Sequence, residues 1–170
     1  MPMSFHASWH WPAFLVSFWW FLYRNRINDG MGKYIAERTV KLLIHSGKPV
    51  KGAKVAVMGI TFKEDVPDLR NTRVVDIVHE LQDYGVEVLV HDPMADPAEA
   101  REHYGLDLVT LEALQGADAV VLAVMHRLYR EMGLSQLAGL CTNGHPIVVD
   151  VKSIYSQQEA AGHGITYWQL

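Results

Sequence analysis

Residues 59–72 read GITFKEDVPDLRNT, and the fold follows from what stands on either side of them. An apolar run, Val55-Ala56-Val57-Met58, leads in, and an amphipathic run opening near Arg73 leads out. A strand that ends in a loop and re-enters as a helix is the commonest phosphate site of α/β proteins. The helix mouth offers unpaired backbone N–H groups and a partial positive charge. Lys63 and Arg70 add two cations to this loop, with Pro67 stiffening the span between them. Lysine supplies a compact charge and arginine a planar fork, a pairing suited to a diphosphate. After Gly59 no second or third glycine follows, so GxGxxG is absent and a dinucleotide pyrophosphate cannot approach as closely. The loop reads as a nucleotide site, and not as a nicotinamide one.

Outward from the loop, strand and helix signals alternate. Lys54–Met58 predicts the first strand, and Thr72–Tyr84 a helix whose Val74, Val75, Ile77, Val78 and Leu81 form the buried side. Val86–His91 is the second strand, ended by Asp92-Pro93, and Pro97–Tyr104 and Leu111–Leu114 are short helices. Asp118–Val124 is a near-continuous apolar run of the kind a sheet covered on both faces requires. One or two helices over Leu128–Leu140, a strand at Ile147–Val151, a helix at Tyr155–Ala161 and a closing strand at Ile165–Trp168 complete the pattern. Five strands separated by helices predict a Rossmann-like, doubly wound α/β fold with a parallel sheet. Ahead of it, Met31–Ser46 predicts a helix with Tyr34, Ile35, Leu42 and Leu43 toward one face and Gly47 as its stop. Ligands of such sheets sit at the carboxyl ends of the strands, where this chain carries Gly59–Arg70, Asp92, Met125-His126 and Lys152.

Composition narrows the function classes. The length of 170 residues fits one domain with a substantial core, and the net charge of −4 argues against nucleic acid as partner. A single cysteine, Cys141, excludes an internal disulfide and a CxxC metal site, and the histidines are read as ordinary surface and core residues. Residues 1–25 differ from the rest: four of the five tryptophans and four of the five phenylalanines lie before position 22, with no charged residue before Arg24. The run Trp11–Tyr23 falls short of the ~20 apolar residues that span a bilayer, and no basic segment precedes it as in a secretory signal. An interfacial anchor, a partner-binding aromatic tail and a non-native leader all fit this segment, and the leader is preferred. The membrane is not expected as a partner.

The residues also carry a resemblance. KGAKVAVMGITFKEDVPDLRNT at 51–72, VVDIVHELQDYGVEVLVHDP at 74–93, VVDVKSIY at 148–155 and YWQL at 167–170 resemble the C-terminal, UDP-binding domain of the UDP-glucose/GDP-mannose dehydrogenases. Within that family RINDGMGKYIAE at 26–37 and the FKEDVPDLRN stretch look most like the branch acting on UDP-N-acetylhexosamines. The resemblance implies an NAD-dependent oxidoreductase of polysaccharide biosynthesis, cytoplasmic, that oxidises the sugar C6 hydroxymethyl to a carboxylate. It implies three parts, of which this chain carries one: residues 26–52 as a linker helix from a central domain, and 53–170 as the UDP-binding domain. The NAD-binding domain and the catalytic cysteine of the family are expected upstream, and Cys141 in GLCTNG does not match that cysteine's motif.

Carried over residue by residue, Lys63 looks like the ligand of the UDP diphosphate, Phe62 lies against the nucleotide, and Lys152 stands where the family places an Arg or Lys near it. Arg70 is a further candidate for the diphosphate, or an internal pair with Asp68 that shapes the loop. Asn28 and Asp29 belong to the segment where the family chain leaves the central domain, and a role at the substrate edge is the less favoured reading of them. Asp92 is read as a strand-end turn cap rather than a ribose acid, and His126 as a satisfied loop histidine beside Arg127. The expected partners are UDP or a UDP-N-acetylhexosamine, together with the dehydrogenase domains not present or further copies of the chain. A remnant that binds UDP without oxidising it is the leading expectation; a subunit of a split enzyme and a docked, non-enzymatic module are the alternatives. The linker helix is expected to leave apolar surface uncovered.

Overall fold

The computed structural model describes residues 30–142 and 144–170. The aromatic segment 1–25, Asn28 and Asp29 therefore lie outside the described residues. The first helix, α1, spans 30–45. There follow β1 (Lys54–Met58), α2 (Val74–Asp83), β2 (Glu87–His91), α3 (Pro97–Tyr104), a 3-10 turn (Glu112–Leu114) and β3 (Ala119–Leu122). The chain closes with α4 (Arg127–Ala138), β4 (Ile147–Asp150), α5 (Gln157–Gly162) and β5 (Thr166–Gln169). The five strands form one parallel sheet in the order β2-β1-β3-β4-β5. The order reverses between β1 and β3, so the loops leaving those two strands part to opposite faces and open a crevice at their carboxyl ends.

Side chains alternate across the sheet. Val55 and Val57 of β1, Ala119 and Val121 of β3, and Ile147 and Val149 of β4 face one layer, with α1, α2 and Ala100 of α3. Ala56, Met58, Val120, Leu122 and Val148 face the other, under the 3-10 turn, α4 and α5. All four residues of β3 are buried, as a central strand covered on both sides demands. Each buried valine or leucine there contributes about 1.5–3 kcal/mol relative to an exposed one. The predicted elements are present, most of them shortened by one or two residues at their ends. Helix α4 is two pieces: Gly133, at φ 71° and ψ 166°, interrupts it.

Helix α1 corrects one expectation. Its Ile35, Ala36, Val40 and Leu43 are buried in the same core as β1, β3 and β4, so its apolar side is covered within this domain. Tyr34, half out in solvent, packs edge-on against Trp168 of β5, with the Arg38 guanidinium over the Trp168 ring at 5.6 Å. An apolar stripe looks the same in sequence whichever surface it meets. Close approach of α1 to α2 depends on Gly32, where a Cβ would lie 2.6 Å from Cβ of Asp76. Gly32→Ala is expected to lower stability by about 1–3 kcal/mol, read as an earlier urea midpoint, despite alanine's better helix propensity. An unchanged midpoint would show that the two helices do not bear on each other there.

Candidate nucleotide site

A cavity of about 190 Å³ opens at the carboxyl ends of β1, β3 and β4. Met31, Gly32 and Ile35 of α1 form one wall, and the amino end of α2 with Asn71 to Arg73 forms another. Ala123 and Val124 beyond β3 also line it, as do Phe62 and Lys152, both exposed. Phe62 is 61% exposed, an unusual state for a phenylalanine, and leaves its ring free to cover a ligand. The structure thus brings Phe62 and Lys152 together. Lys63 lies just outside, exposed, with its ammonium in no ion pair among the described residues.

Arg70 is not brought into this cavity. Its Nε and Nη2 each lie 3.0 Å from a carboxylate oxygen of Asp68, a two-pronged pair on the outer side of the loop. Hydrogen bonds from the Arg70 side chain and amide hold the Asp68 carboxyl down to about 2. The arginine faces a separate groove lined by residues 66–71 and by Glu99, His103 and Tyr104. Of the two readings of Arg70, the internal pair describes the geometry.

What sets the loop's path is buried. Asp92, at the end of β2, accepts from the amides of Ile60 (2.7 Å) and Thr61 (3.0 Å) through Oδ2 and from those of Met94 (2.8 Å) and Ala95 (3.0 Å) through Oδ1. Burial works against its charge, but the bonds from His126 and these amides outweigh it and hold the carboxyl far below its ordinary value. The turn-cap reading therefore holds for one oxygen, while the other fastens the loop after β1. His126 is fully buried, 3.0 Å from Asp92 Oδ2 through Nε2. Beyond it, His91 Nδ1 and the Tyr129 hydroxyl are 2.8 Å apart, and that hydroxyl donates to the His91 carbonyl at 2.9 Å. Burial pushes His91 down and the Tyr129 phenol up.

Asp150 plays the same part for Lys152. It is fully buried at the end of β4 and accepts from the amides of Lys152 (2.9 Å), Ile154 (2.7 Å) and Tyr155 (3.1 Å) and from the Tyr167 hydroxyl (2.7 Å). The local sequence marks neither aspartate as a loop fastener. Their only local signal is an acid at a strand's end; the contacts that matter reach other segments.

Among the described residues three non-glycine residues take positive φ: Asp65 at 56°, Asn71 at 58° and Ser153 at 54°. All three lie in the two loops that carry Lys63 and Lys152. Each such residue stores of order 1–3 kcal/mol of strain, less for Asp and Asn, and such strain concentrates at functional sites. Among the described residues no group of His, Cys, Asp and Glu is placed to hold a metal ion. His6 and His10, four apart in sequence, lie outside them. Cys141 is partly buried with its thiol pushed up by burial, the environment of an inert filler. No helix among the described residues is long and apolar enough to cross a membrane.

NAD does not fit this sheet edge. Gly59 is followed by Ile60 and Thr61 rather than a glycine-rich turn, and both oxygens of Asp92 are engaged where a ribose would need one. What the fold and crevice define is a Rossmann-like domain with a cleft at its strand-order reversal and a lysine-bearing loop on each of two strand ends.

Comparison with known proteins gives that class a family. Residues 56–157 match the model described as the UDP-glucose/GDP-mannose dehydrogenase family, UDP binding domain, and the chain belongs to that family. It is 45% identical over 135 residues to Protein CapL of Staphylococcus aureus, covering 79% of this chain and 31% of that protein. To the UDP-N-acetyl-D-glucosamine 6-dehydrogenase of Salmonella typhi it is 36% identical over 136 residues, covering 80% and 32%. The NDP-N-acetyl-D-galactosaminuronic acid dehydrogenase of Methanosarcina mazei Go1 superposes with a TM-score of 0.78 at 26% identity, over 88% of this chain and 31% of that one. The chain thus spans about a third of the length of these relatives.

Proposed function

We propose that this chain is the UDP-gripping part of an NAD-dependent UDP-sugar 6-dehydrogenase, acting on a UDP-N-acetylhexosamine in cytoplasmic polysaccharide biosynthesis. The observation that carries this reading is the crevice at the strand-order reversal, lined by Phe62 and Lys152, with Lys63 next to Phe62 in the chain, exposed and in no ion pair among the described residues. The ring of Phe62 covers one side of the nucleotide, and the two ammonium groups neutralise the diphosphate. The amino end of α2 turns the positive end of its helix dipole toward the same wall. Hydride transfer and the covalent chemistry belong, in this reading, to parts of the relatives that the chain does not span. The name of the Salmonella protein supports the choice of hexosamine.

Calorimetric titration of the full chain with UDP tests this. UDP is expected to bind, NAD to give no heat, and Lys63→Ala to weaken UDP by about tenfold to a hundredfold, the worth of one charge-assisted contact. Binding of NAD with UDP silent would overturn the reading.

A further inference from the structure

We propose that His126 is a positioning residue for Lys63, gripping the backbone on both sides of it; this rests on the reading of Lys63 as the diphosphate ligand. The amide of Asp65 donates to Nδ1 of the ring at 3.0 Å. A backbone N–H can only donate, so Nδ1 carries no proton and the ring's proton sits on Nε2. That Nε2–H lies 3.0 Å from Asp92 Oδ2 and 3.1 Å from Thr61 Oγ1. The Thr61 hydroxyl in turn donates to the carbonyl of Lys63 at 3.1 Å.

The ring therefore reaches residue 61 through one nitrogen and residue 65 through the other, and Lys63 is the midpoint. Asp65 holds its strained φ of 56° within this grip, and its carboxylate accepts from the Arg127 amide at 2.9 Å. Glu64 is joined to Arg130 at 3.3 Å, so the loop is also bound to the first half of α4. A fully buried histidine with both nitrogens spoken for cannot itself meet the ligand. Its effect on a nucleotide runs through the residue it brackets.

A double-mutant cycle in the full chain separates this from a general structural role. His126→Gln keeps a donor near Nε2 and loses the acceptor for Asp65; His126→Asn keeps that acceptor and loses the donor. UDP affinity is measured for both, alone and combined with Lys63→Ala. Each is expected to weaken UDP about tenfold with Lys63 present and to have no further effect once Lys63 is alanine. Equal losses in both backgrounds, or no loss in either, would overturn the proposal while leaving Lys63's own role standing. If both ring variants fail to fold, Thr61→Val takes their place, deleting only the hydroxyl that holds the Lys63 carbonyl, with the same two outcomes. A parent chain that does not bind UDP at all overturns the site reading and this inference together.

Discussion

Gly59→Ala is expected to cost about 3–5 kcal/mol of stability, enough to leave much of the chain unfolded at ambient temperature. The backbone there has φ 89°, a region that L side chains rarely adopt. A Cβ would also lie 2.5 Å from Cβ of Val124 and 2.7 Å from its carbonyl oxygen. Those are the Cβ and backbone of Val124, two residues past β3 and anchored by it, so they cannot yield as a flexible tip would. Alanine's smaller unfolded-state entropy offsets only about 0.4–1 kcal/mol. The glycine thus serves the contact between two strand ends; room for a phosphate is not what requires it. Urea unfolding followed by circular dichroism measures the effect, and a midpoint within error of the parent would contradict the packing described.

Asp92→Asn is expected to be nearly as severe, about 3 kcal/mol or more, because an amide group must point N–H at N–H on one side of the carboxylate's place. The pH dependence identifies the cause. The folded carboxyl titrates below the ordinary aspartate value of 3.8. Its contribution is therefore complete above that value and is lost as the pH falls through the folded one. The gap between parent and variant should be full at about pH 7, begin to narrow below about pH 4 and go on closing as the pH falls toward the folded value. A gap in urea midpoint that stays constant across that range would show that the charge is not what fastens the loop.

The strands were legible because apolar runs of four or five residues, bounded by glycine or Asp-Pro, have few other readings in a chain of this size. Ala119–Leu122 is the clearest case, and its burial on both faces follows from having no polar residue to spare. The destination of α1 was not legible. Ile35, Val40 and Leu43 show a stripe, and a stripe does not name its partner. The pair Asp68–Arg70 could be read, since two residues apart in a loop is within reach of one side chain. The fastening of the loop could not. Asp92 meets Ile60 across 32 positions and His126 meets Thr61 across 65. Periodicity and turn chemistry act over a handful of residues, so such pairings emerge only once the sheet has brought the strand ends together.

The same pairings limit what can be moved. Cut from the chain, residues 59–72 would keep both cations and lose the shape that separates them, because the groups that impose the shape arrive from β2 and from the mouth of α4. Anyone grafting this nucleotide grip onto another scaffold would have to transplant a sheet edge with it. A short peptide of the same letters would be only a charged, flexible string.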